Sequence, residues 1–244
     1  MATEAELKAA GEKYIPKDYP YPELYKPRHS LAHVLAQAVV EKFPQAKPTI
    51  GPPNEYGFYY DFDLDVNPTD GDLEWITNRM RQIIKGKHAF KVREISAEEG
   101  RELFKDNPYK IELIDGLNKG QDEYGNASTS APTITVYQQD TFVDLCRGPH
   151  VELTSDLDPK AFKIQQVTGS YWRGKSDNKM LKRFHATAWA SADDLKAHLH
   201  RLEEAERRDH RKLGRELDLF ANEPVFGSGF PMLLPKGATV RRLL

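Results

Sequence analysis

Two histidines four residues apart, His29 and His33, and a cysteine and histidine with the same spacing, Cys146 and His150, are the residues of this chain best suited to chemistry. On a helix a four-residue step stacks both imidazoles on one face, so His29 and His33 can share one ligand. Cys146 and His150 lie in DLCRGPH, where Gly148 and Pro149 force a turn that can bring a thiol and an imidazole to one point. Two readings of the joint cluster are open. It can complete a tetrahedral zinc shell of one cysteine and three histidines, or line a pocket that positions water for a neutral imidazole to deprotonate. Each residue alone has a plainer reading: a histidine at a helix start is more often a cap or core residue, and a lone cysteine is usually a small buried apolar group. The doubled spacing is what points to a site.

The elements that must position these groups follow from hydrophobic period. Leu31, Val34, Leu35, Ala38 and Val39 recur at three- and four-residue steps, predicting a helix with one buried face over 30–43, stopped by Pro44. The stretch before it, residues 1–28, holds Pro16, Pro20, Pro22 and Pro27, which break any long helix and predict a tail laid over a domain. A strand is expected near 57–63, in GFYYDFD. Asp70 or Asp72 is expected to cap a second helix striped by Leu73, Ile76, Met80, Ile83 and Ile84 and ended by Gly86. Ser96 with Glu99 predicts a short third helix. The segment TITVYQQDTFVDLC, 133–146, reads as a hairpin, and further strands are expected near 161–167 and 184–189. Helices in blocks between antiparallel strands predict an α+β fold, an antiparallel sheet with helices packed on one face. Ser191 and Asp194 then open a long connector helix over 191–220, with a narrow stripe of Leu195, Leu199, Leu202 and Ala205 continuing towards Leu213 and Leu217.

Composition bounds the partners. The 244 residues are 39% hydrophobic, enough for one substantial core or two smaller ones. Charges nearly cancel, to a formal −2, so nucleic-acid contact must come from a local patch. One cysteine allows no internal disulfide and suits a reducing compartment. The start MATEAELKAAGEK has no apolar core, and no run of about 18 apolar residues spans a bilayer, so a cytoplasmic protein with no membrane association is expected.

In order along the chain, HSLAHVLAQAV, GFYYDFDL, DLCRGPHV and YWRGKSDNKMLKRFHATAWA resemble the second amino-terminal domain of bacterial-type threonyl-tRNA synthetases, from about His29 to Phe220. RLEEAERRDHRKLGRELDLF looks like the helix and linker into that family's class II catalytic domain, and PKGATVRRLL like the beginning of its first class motif. The resemblance implies an editing domain over 29–190, a connector over 191–220 and a cut-short start of the aminoacylation domain over 221–244. It implies hydrolysis of serine wrongly esterified to threonine tRNA, with the tRNA acceptor end and the seryl ester as partners. Water activation is carried to His29 and Lys110, the latter through the match PYKIELI, with His33, Asp144, Cys146 and His150 completing the pocket. The related alanyl branch, with the same HxxxH and CxxxH skeleton, is similar to a zinc site; here CRGPH and YWRGKSDNKML favour the threonyl branch, where a water pocket without metal is implied. Zinc at His29, His33, Cys146 and His150 stays as the alternative.

Editing chemistry implies no cofactor; ATP, magnesium and a separate zinc belong to the catalytic domain that follows in the family. This segment is therefore expected to hydrolyse but not to ligate, and to be a monomer where the full-length protein is a homodimer. Tyr60 is expected to gate the pocket or stack on adenine. Arg173 and Lys175, with Lys179, Lys182 and Arg183, form a basic group expected to meet the acceptor end. Arg201, Arg207, Arg208, Arg211, Lys212 and Arg215 interleave with Glu203, Glu204 and Glu206, which favours a solvated helix with internal ion pairs. The family's small ubiquitin-like leading domain has no counterpart in residues 1–28, and 118–133 reads as an extended loop. Two rivals stand beside the editing reading: a free-standing trans-acting deacylase, and a noncatalytic, zinc-stabilised tRNA-binding module.

Overall fold

A computed structural model describes residues 2–121, 133–222, 227 and 230–244, so most of the loop expected over 118–133 lies outside the described residues. The chain divides into two compact units, Met1–Leu195 and Lys196–Leu244. In the first, helix α1 (Glu4–Gly11) opens on a Thr3–Glu6 capping box and buries Leu7 in the main core. Part of the expected tail is thus helical and packed. Helix α2 (Pro22–Lys42) starts earlier than the periodicity indicates, with Pro22 in its first turn and Pro27 inside it. A proline within the first two turns forfeits only one amide bond, and buried Arg28 then anchors the segment, donating to the carbonyls of Ala188, Asn54 and Glu55 at 2.9–3.1 Å.

The expectation of one buried face on this helix is also corrected, because every residue from Ser30 to Val39 is buried. Strand β1 (Lys47–Pro48), β2 (Pro53–Asn54) and β3 (Gly57–Asp63) follow, then helix α3 (Asp70–Lys85), and both β3 and α3 pack on α2. Alternation along β3 sends Phe58, Tyr60 and Phe62 into the core, each no more than 1% exposed. Thr69 caps α3, not Asp70 or Asp72; Asp72 is the reciprocal partner three residues on, accepting from the Thr69 amide at 2.9 Å. Strand β4 (Lys91–Glu94) and helix α4 (Ala97–Leu103, capped by Ser96) lead to α5 (Pro108–Asn118), a helix the sequence reading left unassigned. Its start is nevertheless written in the chain: Asn107 caps it and Pro108 occupies the first turn.

The expected hairpin is β5 (Thr135–Gln139) and β6 (Phe142–Leu145), and the later strands are β7 (Phe162–Tyr171) and β8 (Met180–Ala188). All pair antiparallel, confirming an α+β fold, but in two sheets where one was expected: β1-β3-β8-β7 with β2 beside β3, and β4-β5-β6. Helix α2 touches strands of both sheets, β3 in the first and β6 in the second, which explains why it has no solvent face.

Helix α6 (Ala192–Arg207) opens where Ser191 accepts from the Asp194 amide at 3.2 Å. The single long connector is corrected: Asp209 caps a separate α7 (His210–Glu216). Arg207 and Arg208 pair with Glu204, and Arg211 with Asp209, so these charges satisfy one another locally. In the second unit β9 (Phe220–Ala221) pairs with β10 (Met232–Leu233), and α8 (Pro235–Leu243) follows. No helix among the described residues is long and apolar enough to cross a membrane.

Urea unfolding should separate core from cap: Phe62→Ala should cost about 3–5 kcal/mol, while Thr69→Ala should cost about 1 kcal/mol. Equal losses would contradict the packing described.

Candidate active site

Helix α2 presents His29 and His33 one turn apart, and the chain leaving β6 brings Cys146 and His150 against them. The Cys146 sulfur lies 3.3 Å from His29 Nε2 and 3.2 Å from His150 Nε2, and the four donor atoms fall within 4.8 Å of one another. The turn is built as DLCRGPH predicts. The Gly148 amide donates to the thiol at 3.2 Å, Gly148 adopts φ +76°, and the Gly148–Pro149 peptide is cis. A side chain at Gly148 would also strike the Tyr137 ring. The Cys146 amide donates to the Thr135 carbonyl at 3.1 Å, fixing the thiol to the sheet ladder.

The far nitrogens of two of the three imidazoles are held as well, while His33 Nδ1 is buried with no hydrogen-bond partner among the described residues. His29 Nδ1 lies 3.2 Å from the Pro149 carbonyl, which can only accept, so this nitrogen carries the proton and Nε2 faces the thiol as a lone pair. His150 Nδ1 lies 3.1 Å from the Ser30 hydroxyl, and its ring stacks on Phe90 at 4.9 Å. His33 and His150 are buried, whereas His29 is partly open to a cleft. Burial, and then the Lys110 charge, pull His33 down to about 3. Burial, followed by His29 and His33, takes His150 well below its usual value. His29 moves the same way, through burial and then His33. All three are neutral at pH 7.

Beside them, Lys110 on α5 forms an ion pair with Asp144 on β6, both side chains under 5% exposed. The Tyr60 hydroxyl donates to the other Asp144 oxygen, and His33 Nε2 lies 3.8 Å from it. Burial first and Asp144 second raise the Tyr60 phenol well above its usual value, keeping it a donor. The structure thus assembles His29, His33, Lys110, Asp144 and Cys146, with Tyr60, around one cleft of about 160 Å³, and packs His150 behind it against Cys146 and His33. The Tyr60 ring is 1% exposed and stacked on Phe62 at 5.0 Å, and its hydroxyl holds Asp144 at the cleft.

Arg173 and Lys175 are not brought to this cleft. They line a second one with Glu112 and Asp115, on a different face of α5 from Lys110, Leu113 and Leu117. Nor is the basic group short of counterions: Arg173 pairs with Glu112 at 2.6 Å, Lys179 with Asp63 at 2.6 Å, and Arg183 with Asp61 through two bonds of 2.7 and 2.8 Å. The sequence reading missed Tyr14, Tyr25, Thr135 and Arg147 at the cleft wall. Of these, only Arg147 had a local signal, its place inside DLCRGPH.

The donor set fits zinc. Tetrahedral Zn–N and Zn–S bonds imply donor separations of about 3.3–3.8 Å, near the two distances to sulfur, and His29 and His150 carry the outer hydrogen bonds that metal-bound imidazoles usually have.

An antiparallel α+β domain with HxxxH on a helix and CxxxH beside a strand defines a class, and residues 134–185 match the family model described as "Threonyl and Alanyl tRNA synthetase second additional domain". Over 221 residues, 91% of this chain, the sequence is 47% identical to "Threonine--tRNA ligase" of Borrelia hermsii and of Borrelia turicatae. It is 46% identical over the same length to that of Borreliella burgdorferi. The chain belongs to the threonyl-tRNA synthetase family, and it spans 36% of the length of these relatives.

Because His33 and His150 must take up protons on unfolding below pH 6.5, metal-free protein should lose stability as pH falls from about 6.5 towards 3. At pH 5 the loss should be on the order of 2 kcal/mol per histidine. Urea midpoints at pH 7 and 5 check this, and His150→Gln should shrink the difference; an unchanged midpoint would show the histidines protonated in the fold.

Proposed function

We propose that this site hydrolyses the ester of a mischarged aminoacyl-tRNA, with seryl-threonine tRNA as substrate. What supports the reading is one juxtaposition: a neutral imidazole, His29, whose Nε2 lone pair meets only the Cys146 thiol at the cleft, beside a lysine ion-paired with a buried carboxylate. Water that takes the place of the thiol at His29 Nε2 gives up a proton to it while its oxygen attacks the ester carbonyl. The Lys110 ammonium steadies the developing oxyanion and then protonates the departing ribose oxygen. Proton return from the His29 imidazolium through cleft water resets both groups. Asp144 and Tyr60 position Lys110, and His33 and Cys146 shape the wall with His150 packed against both, so no covalent nucleophile enters.

The biological demand is a small energy difference. One methyl group distinguishes threonine from serine and yields only about 1–3 kcal/mol of discrimination in a pocket, so a second, smaller site is needed to remove serine. The relatives' printed name points to ligation of threonine to its tRNA, and we propose that activity for a whole protein containing this segment, working with ATP and magnesium as a cytoplasmic homodimer. The second reading, favoured by the set of one thiol and three imidazoles, is a zinc held by His29, His33, Cys146 and His150, four donors that would close a tetrahedral, structural shell.

Seryl- and threonyl-threonine tRNA incubated with the chain without ATP should show rapid loss of serine alone. His29→Ala and Lys110→Met should each cost at least about 100-fold, and folded protein releasing serine at the uncatalysed rate would sink the proposal. Dialysis against a chelator should leave the rate intact; a loss restored by zinc would show that His29 is a metal ligand and not the base.

A further inference from the structure

We infer that Arg147, held in place by the amino-terminal segment, is the phosphate anchor of this cleft, binding the phosphate on the nucleotide that carries the ester. The inference rests on the hydrolase reading above for the identity of the substrate, but not for its own observations. Arg147 adjoins Cys146 in the chain and lines the same cleft as the His29–Lys110 pair. It makes no ion pair among the described residues, whereas the lysine of the cleft wall, Lys110, is committed to Asp144. Its partner is instead a ring: the guanidinium sits 5.3 Å from the centroid of Tyr14.

Tyr14 reaches this position because α1 docks on the turn that carries Arg147. Leu7 is buried in the core, Lys8 pairs with Glu152 at 2.6 Å, and Glu12 pairs with Lys26. Gly11 packs so closely that a β-carbon there would lie 2.9 Å from the Arg147 carbonyl oxygen. The segment that reads as a proline-broken tail is thereby part of the mouth of the site.

The chemistry of the anchor selects its ligand. An ester on the ribose of a nucleotide carries, on the same ribose, a phosphate that must lie outside a pocket fitted to the acyl group. Arginine offers a planar, paired donor set suited to phosphate, and a ring against one side limits its rotamers without neutralising it. Arg147 is thus a substrate-binding residue, and Tyr14 a positioning residue that acts through it.

Binding of adenosine 5′-monophosphate and of adenosine, measured by calorimetry on the intact chain, tests this without requiring turnover. The monophosphate should bind about tenfold more tightly, a difference of about 1.4 kcal/mol. Arg147→Met should abolish that ratio, Tyr14→Ala should reduce it by about threefold, and Tyr14→Phe, which keeps the ring, should restore it. Equal binding of the two ligands, no binding of either at millimolar concentration, or a ratio that survives Arg147→Met in folded protein would overturn the anchor. Seryl-tRNA hydrolysis measured in parallel separates the two claims: monophosphate preference without hydrolysis removes the hydrolase reading and keeps the anchor, while hydrolysis unaffected in KM by Arg147→Met does the reverse.

Discussion

A lysine and a carboxylate withdrawn from water attract strongly only when each is the other's main solvation, and removing either leaves an uncompensated buried charge. Lys110 and Asp144 stand in that relation, and the rest of the site is arranged around it. Tyr60 completes the solvation of Asp144 from β3, while the surrounding core excludes the water that would weaken the pair. The same exclusion makes the histidines neutral, since a further positive charge beside Lys110 has no carboxylate left to offset it. One low-dielectric pocket therefore holds an ion-paired lysine and uncharged imidazoles within a few ångströms of one another. The proposed ester hydrolysis would draw on that arrangement.

Rigid elements supply the geometry. Helix α2 has no solvent face between Ser30 and Val39, so His33 cannot swing away from Asp144 without disturbing two sheets and α3. Arg28, one residue before His29, fixes the entry to that stretch by bonding three backbone carbonyls from two separate segments. The thiol is fixed from the other side by the Thr135–Cys146 bonds, at 3.1 and 2.6 Å. Placing catalytic groups on packed helices and strands limits their positional freedom more than loops would.

Much of this was legible in the chain, and the reasons for the gaps are physical. The four-residue spacings of His29–His33 and Cys146–His150 identified the pairs because helix and turn geometry are local properties. The β3 strand, the 135–145 hairpin and the α3 stripe were readable for the same reason. The prolines of residues 16–27 misled because their effect depends on whether a residue lies inside or at the start of a helix, and tertiary packing around Arg28 decided that. A single sheet was expected because strand propensity does not say which strands share hydrogen bonds. That the Tyr60 hydroxyl holds Asp144 was not legible, because the two lie 84 residues apart. The counterions of Arg173 and Arg183 were likewise invisible, since Glu112 and Asp61 come from other elements.

Asp144 and Cys146 are two residues apart on one extended run of chain, so they share a face and a single pairing register with β5. The ion pair and the thiol cluster are therefore not independent inventions that could be gained or lost one at a time. A one-residue insertion or deletion between Thr141 and Asp144 would turn both outward together, whereas a change of side chain at either position would leave the backbone of the other in register. Over this stretch the number of residues is as strictly bound as their identity, and a change in it would part Asp144 from Lys110 and Cys146 from the histidines in a single step.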